Sequence, residues 1–154
     1  SSSLSLKWMP VGPWYKAQKR GSGASIVFGH RMAPELRMNL ILYPKGTWLG
    51  DLGQQSVERY LSSLGAQFPE ASVTVLNPGS ITPPVGSIPF LGGPYRQIHF
   101  TVTPDAPGGQ AVSFYDYLTA KDGALLVVRY EAPAEMLERM ESRLVRELFF
   151  FEVE

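Results

Sequence analysis

The stretch from Ala111 to Phe151 constrains this chain more than any other. Two apolar runs, Ala111–Ala120 and Ala124–Glu131, flank a tight Asp122-Gly123 turn, and Pro133 then opens a helical pattern that runs toward the C-terminus. Asp-Gly between apolar runs selects a two-residue type I′ hairpin turn. Such a turn sets the register. Lys121 faces Ala124, Thr119 faces Leu126, Tyr117 faces Val128 and Tyr115 faces Tyr130, while on the other face Leu118 meets Val127 and Asp116 meets Arg129. An opposed Asp/Arg pair offsets what would otherwise be an isolated charge in an apolar row. Asp116 and Arg129 therefore read as a structural pair before they read as chemistry.

Both faces of this hairpin are apolar or aromatic. One carries Phe114, Leu118, Leu125 and Val127, and the other Tyr115, Tyr117, Leu126, Val128 and Tyr130. A sheet wetted on one side alternates more strictly than this, so both faces need cover. Two helical patterns can supply it. Asp51 to Leu64 has Asp51 and Gln54 at capping-box spacing, an apolar stripe of Val57, Tyr60, Leu61 and Leu64, and Gly65 where a helix-ending glycine belongs. The terminal helix carries Met136, Leu137, Met140, Leu144 and Leu148, with Pro133 in its first turn, where a missing N–H costs nothing.

Upstream, Trp14–Gln18 and Ser25–His30 flank a glycine-rich turn and suggest a hairpin, and Leu36–Tyr43 alternates as a strand. Ser72–Leu76 and Tyr95–Thr103 read as further strands. Between them, Asn77 to Pro94 holds five prolines, which exclude regular structure except at a sheet edge. The expected fold class is α+β, with an antiparallel sheet of about six or seven strands, a helix on each face, and the order β-β-β-α-β-β-β-β-α. The expected organisation is an N-terminal tail or linker over 1–13 and a single domain over 14–154, as the length of 154 residues suggests.

The chain has no cysteine, which removes thiolate catalysis, dithiol redox motifs and Cys-based zinc sites. Its two histidines, His30 and His99, fall on separate strands without metal-ligand spacing, so no metal site and no cofactor are expected. No Gly-x-Ser-x-Gly elbow is present, and the acids of the terminal helix alternate with arginines as on a solvated face. No catalytic residue is assigned. Net charge is zero, which argues against nucleic acid, although residues 1–50 hold seven basic residues and one acid. That imbalance suits either a basic face or simple mixing of charges in the folded sheet.

Three features suggest binding. The apolar tip Ile88-Pro89-Phe90-Leu91 of the Pro-rich segment, together with Trp48, marks a contact surface for a protein partner, or else an element that covers a sheet edge. His99 shares a face with Gln97 and, in the expected sheet, with Tyr115 and Tyr117. That patch either lines a pocket for a small apolar ligand between sheet and helix or is a hydrogen-bonded sheet interior. A Ser-rich start often follows a removed signal peptide or a lipoprotein anchor, and an anchor of that kind would bring the domain near a membrane.

The strand Phe114–Thr119, the turn Lys121-Asp122-Gly123, the strand Leu125–Tyr130 and the helix opening Glu131-Ala132-Pro133-Ala134-Glu135 together resemble the PsbP-like superfamily. The resemblance spans most of the chain in element order and its last forty or so residues in sequence style. It implies an antiparallel sheet between helices and an accessory or binding role rather than an enzyme. Envelope lipoproteins of this kind imply an extracytoplasmic location. The resemblance transfers no residue-level role, and the long Pro-rich segment departs from a compact version of the fold.

Overall fold

A computed structural model describes residues 6–7, 12–17, 25–43, 51–82, 94–148 and 152–153. In chain order the elements are β1 (Leu6–Lys7), β2 (Trp14–Lys16), β3 (Ser25–His30), β4 (Arg37–Tyr43), α1 (Gln54–Gln67), β5 (Ala71–Thr82), β6 (Tyr95–Pro104), β7 (Val112–Lys121), β8 (Ala124–Ala132), α2 (Ala134–Glu147) and β9 (Glu152–Val153). Among the described residues, β2 to β8 form one seven-stranded antiparallel sheet in the order β2-β3-β4-β8-β7-β6-β5. The expected fold class is what is found. A separate two-stranded ladder pairs Leu6 with Val153 and Lys7 with Glu152, tying the stretch read as a tail to the far end of the chain.

The β7–β8 hairpin has the register expected from its turn. Lys121 pairs with Ala124, Asp116 with Arg129 and Tyr115 with Tyr130. Asp122 at φ 52° and Gly123 at φ 83° supply the two positive φ values that a type I′ turn demands. Each sheet face then buries its own core. On one, Val57, Tyr60 and Leu64 of α1 pack on Ile98, Phe100, Phe114, Leu118, Leu125 and Val127. On the other, Leu137 and Leu144 of α2, with Leu148, pack on Met38, Leu40, Tyr115, Tyr117, Leu126, Val128 and Tyr130. The apolar hairpin is thus covered on both sides, and β7 and β8 are buried along almost their whole length.

Two local expectations are corrected. Helix α1 runs Gln54–Gln67 rather than Asp51–Leu64. Asp51 sits ahead of the helix, where its Oδ1 accepts from the Gly53 N–H at 2.9 Å and the Ser56 hydroxyl at 2.8 Å, and Gln54 reaches Glu58 instead of turning back to Asp51. The helix continues through Gly65 to Phe68, whose N–H still bonds the Leu64 carbonyl. Phe68 packs its ring on Phe100 and Phe114 and is followed by Pro69, which disfavours a helical residue before it. An apolar anchor therefore ends this helix, not a glycine.

The second correction concerns β5. It does not stop at Leu76 but continues through Pro78 to Thr82, with register shifts between Val75 and Asn77 and between Asn77 and Ser80. Pro78 is tolerated because β5 is an edge strand, and Gly79 at φ 87° takes the left-handed conformation that the irregular backbone needs.

Candidate functional site

Asp116 and Arg129 meet on the α1 face of the sheet. Arg129 donates from Nε to Asp116 Oδ1 at 2.8 Å and from Nη2 to Oδ2 at 2.9 Å. Asp116 is fully buried and Arg129 is 7% exposed. Tyr60, fully buried at the middle of α1, donates its hydroxyl to Asp116 Oδ2 and accepts from Arg129 Nη2 at 3.1 Å. Gln67 Oε1, at the end of α1, lies 3.0 Å from the same Nη2, whose two hydrogens are shared among these three acceptors. The guanidinium also lies 5.4 to 5.7 Å from the ring centroids of Phe68, Phe100 and Phe114. Burial alone would lower the Arg129 pKa, but Asp116 and Tyr60 beside it outweigh that and hold it above its ordinary value. Burial, reinforced by Asp116, raises Tyr60 well above the usual phenol range. The group is a closed structural network. Both carboxylate oxygens are engaged, and aromatic rings screen the charges from water.

On the opposite face, His99, Tyr115 and Tyr117 do come together. The His99 and Tyr115 rings stack with centroids 3.7 Å apart. The Gln97 amide nitrogen lies 2.6 Å from His99 Nε2, 2.9 Å from Glu141 Oε1 on α2 and 3.2 Å from the Tyr117 hydroxyl. With two hydrogens, it serves no more than two of the three at once. Asn77 accepts from the His99 backbone N–H through its side-chain carbonyl. Burial lowers the His99 pKa, partly countered by Glu141. Burial, with Glu141 and Glu138 adding to it, pushes Tyr115 up to about 12, and burial raises Tyr117 further. A hollow of about 90 Å³ opens beside this patch, lined by Leu76, His99, Ser113, Tyr115, Ala134 and Glu138 among others.

Trp48, Ile88, Phe90 and Leu91 lie outside the described residues. Their points of departure are described. Strand β4 ends at Tyr43, which pairs with Leu125, and Leu125 pairs with Ala120. Strand β5 ends at Thr82, opposite Tyr95 at the start of β6, and the Thr119 hydroxyl bonds the Pro94 carbonyl. Tyr43 and Thr82 thus sit at the same end of the sheet, four strand spacings or about 19 Å apart. Residues 44–50 and 83–93 leave from that one end.

One feature was not anticipated from the sequence. A hollow of about 340 Å³ lies on the α1 side of β2, β3 and β4, lined by Tyr15, Val27, Gly29, Arg37, Asn39 and Glu131 among others. Tyr15, Gly29, Arg37 and Glu131 are successive partners across four strands. The Tyr15 ring lies where a Gly29 side chain would be, so this glycine makes room for an aromatic cover. The missed signal was the glycine within β3, an otherwise regular strand. Among the described residues no cluster of three or more His, Asp or Glu side chains could hold a metal, and no helix is long and apolar enough to cross a membrane.

No family model matches the chain and no curated protein does. Among solved structures it is similar to cyanobacterial PsbP (CyanoP) from Synechocystis, at 16% identity and a TM-score of 0.66, over 99% of this chain and 93% of that one. It is also similar, at 9% identity and a TM-score of 0.48, to LpqN of Mycobacterium tuberculosis, described as involved in cell envelope biogenesis, over 98% of this chain and 84% of that one. The chain has a PsbP-like fold.

Proposed function

We propose that this is a non-enzymatic, extracytoplasmic accessory domain that captures a protein partner at one end of its sheet. The observation that carries the reading is topological. The segment holding Trp48 and the segment holding Ile88, Phe90 and Leu91 leave the described sheet at the same end, so aromatic and aliphatic side chains far apart in sequence can serve one surface. Interfaces are built on such aromatic and aliphatic anchors. The accessory reading draws support from Asp116, the buried acid most suggestive of chemistry, whose oxygens are taken up by Arg129 and Tyr60. The extracytoplasmic reading rests on the PsbP-like fold. A small apolar ligand finds less support, because the hollow beside His99, at about 90 Å³, falls below the range of roughly 300–1,000 Å³ usual for ligand pockets.

The test is site-specific photo-crosslinking in the native host. A crosslinking residue at Trp48 or Phe90 should trap the same partner protein, whereas one at Met32, 82% exposed on the β3–β4 turn at the opposite end, should not. Equal capture from Met32, or none from either anchor, would overturn the assignment. Protease added to cells whose outer membrane has been opened and whose inner membrane is intact should digest the domain, and protection would sink the extracytoplasmic reading.

A further inference from the structure

The sheet has two edges among the described residues, the three-residue β2 and the twelve-residue β5. An edge strand presents backbone groups that no neighbour takes, and monomeric proteins blunt such edges with charge, proline, bulges or a covering element. β5 is blunted over only part of its length. From Leu76 onward it carries two register shifts, a proline and a left-handed glycine. Its first five residues, Ala71-Ser72-Val73-Thr74-Val75, follow β6 without a shift, from Ala71 opposite Pro104 to Val75 opposite Phe100. They contain no charge, proline or glycine, and three of the five are β-branched valine or threonine.

The direction of each free backbone group follows from the ladder. The Asp105 N–H bonds the Glu70 carbonyl at 3.1 Å, one step before the Ala71/Pro104 pair. Antiparallel pairs alternate between bonded and non-bonded. Ser72 and Thr74 are therefore bonded to β6, and Ala71, Val73 and Val75 turn their N–H and C=O groups outward. Pro104 opposite Ala71 has no N–H to give, and the Ala71 N–H bonds the Phe68 carbonyl, both in keeping with that alternation.

We infer that this edge pairs with the same edge of a second copy of the chain, antiparallel and two-fold symmetric about Val73, to make one continuous sheet across a homodimer. A two-fold axis at Val73 places Val73 opposite Val73 of the second copy, Val75 opposite Ala71, and Ser72 opposite Thr74, which uses the whole unshifted run. Two hydrogen bonds join the Val73 pair, and each Val75 N–H bonds an Ala71 carbonyl. No like charges meet, because the run carries none. Helix α1 lies along β5, with Val57 against Gly79. Leu61, one turn beyond Val57, is half-buried against the same core. The paired run lies at the opposite end of β5 from residues 83–93, so the dimer and the partner surface stand or fall separately.

Ser72 and Thr74 are exposed, which makes the test clean. By analytical ultracentrifugation, the wild-type chain should sediment at about twice its 17.0 kDa mass. The doubly substituted variants Ser72→Lys/Thr74→Lys and Ser72→Glu/Thr74→Glu should each sediment as monomers with unchanged circular dichroism, and an equimolar mixture should recover the dimer. The register has its own test, because the chain has no native cysteine. Ser72→Cys mixed with Thr74→Cys should form a disulfide-linked dimer, the Cα atoms of a non-bonded pair lying about 4.5 Å apart. Neither variant alone should crosslink efficiently. A wild-type chain that stays monomeric at millimolar concentration, folded Lys and Glu variants that dimerise as the wild type does, or crosslinking of Thr74→Cys alone would each overturn the inference.

Discussion

Two buried polar centres lie on opposite faces of one sheet and meet the cost of burial in different ways. Beneath α1, the charges of Asp116 and Arg129 neutralise each other, and Tyr60 and Gln67 take up further hydrogen-bonding capacity. Beneath α2, the centre is Trp14, His30 and Glu147. The Trp14 indole donates to Glu147 Oε2 at 2.9 Å and stands edge-on to the His30 ring at 4.9 Å. His30 Nδ1 accepts from the Ala33 N–H at 3.0 Å, which assigns the ring proton to Nε2, a buried atom with no hydrogen-bond partner among the described residues. The first centre is held by paired charge and suffers when one member is lost. The second depends on His30 staying neutral, and acid attacks it.

The largest expected effect is at Arg129. Arg129→Met strands a fully buried carboxylate and should cost about 3–5 kcal/mol of stability in urea denaturation. Asp116→Leu combined with Arg129→Met should recover most of that loss, since a buried pair replaced by apolar groups is often near neutral. A double variant as unstable as the single one would show that the centre is not self-contained.

Tyr60→Phe removes one donor and one acceptor from the same network and should cost about 1–3 kcal/mol. A loss of only a few tenths would mean that Gln67 alone suffices to complete the centre.

On the α2 face the contrast is sharpened by pH. Burial, with Arg143 adding to it, lowers the His30 pKa below 6.5. As pH falls through 6.5 the unfolded chain takes up a proton that the folded ring refuses, so stability is full above that value and declines below it. His99, also lowered by burial, acts in the same sense. Glu147 opposes them. Burial holds its carboxyl above 4.5, so the folded state takes up that proton first. The His30→Phe variant should therefore lose stability less steeply than the wild type as pH falls through 6.5, measured by Tm across the range. An unchanged slope would assign the acid sensitivity to His99.

The smallest effect belongs to Arg37. It lies diagonally from Arg129 on the same sheet face but is exposed at the open hollow, with no ion pair among the described residues. Arg37→Met should change stability by no more than about 0.5 kcal/mol. A larger loss would show that the open half of the face is held by charge as the covered half is.

Much of the fold was legible because its signals are local. Asp122-Gly123 has backbone preferences that set one register, and from that register the apolar residues on both hairpin faces demanded two covering helices. The opposition of Asp116 and Arg129 followed from the same two turn residues. The limits of α1 were not legible, because Phe68 ends that helix by packing on Phe100 and Phe114, more than thirty residues away. The course of β5 was misread because proline argues against strand unless one knows that the strand lies at an edge. At the candidate sites, the sequence placed His99, Tyr115 and Tyr117 on one face but could not supply Glu141 from α2 to close the cluster.

The sequence by itself determined which residues share a face, which pairs stand opposite in the hairpin, and that both faces must be covered. These depend on the period of a strand and the chemistry of a turn, which act over a few residues. Only the tertiary structure decided that Tyr60, fifty-six positions from Asp116, completes the buried pair, that His30 Nε2 is buried without a hydrogen-bond partner among the described residues, and that residues 44–50 and 83–93 depart from one end of the sheet. Each of these depends on strand order and helix placement, which are set by the simultaneous packing of distant segments rather than by any local preference.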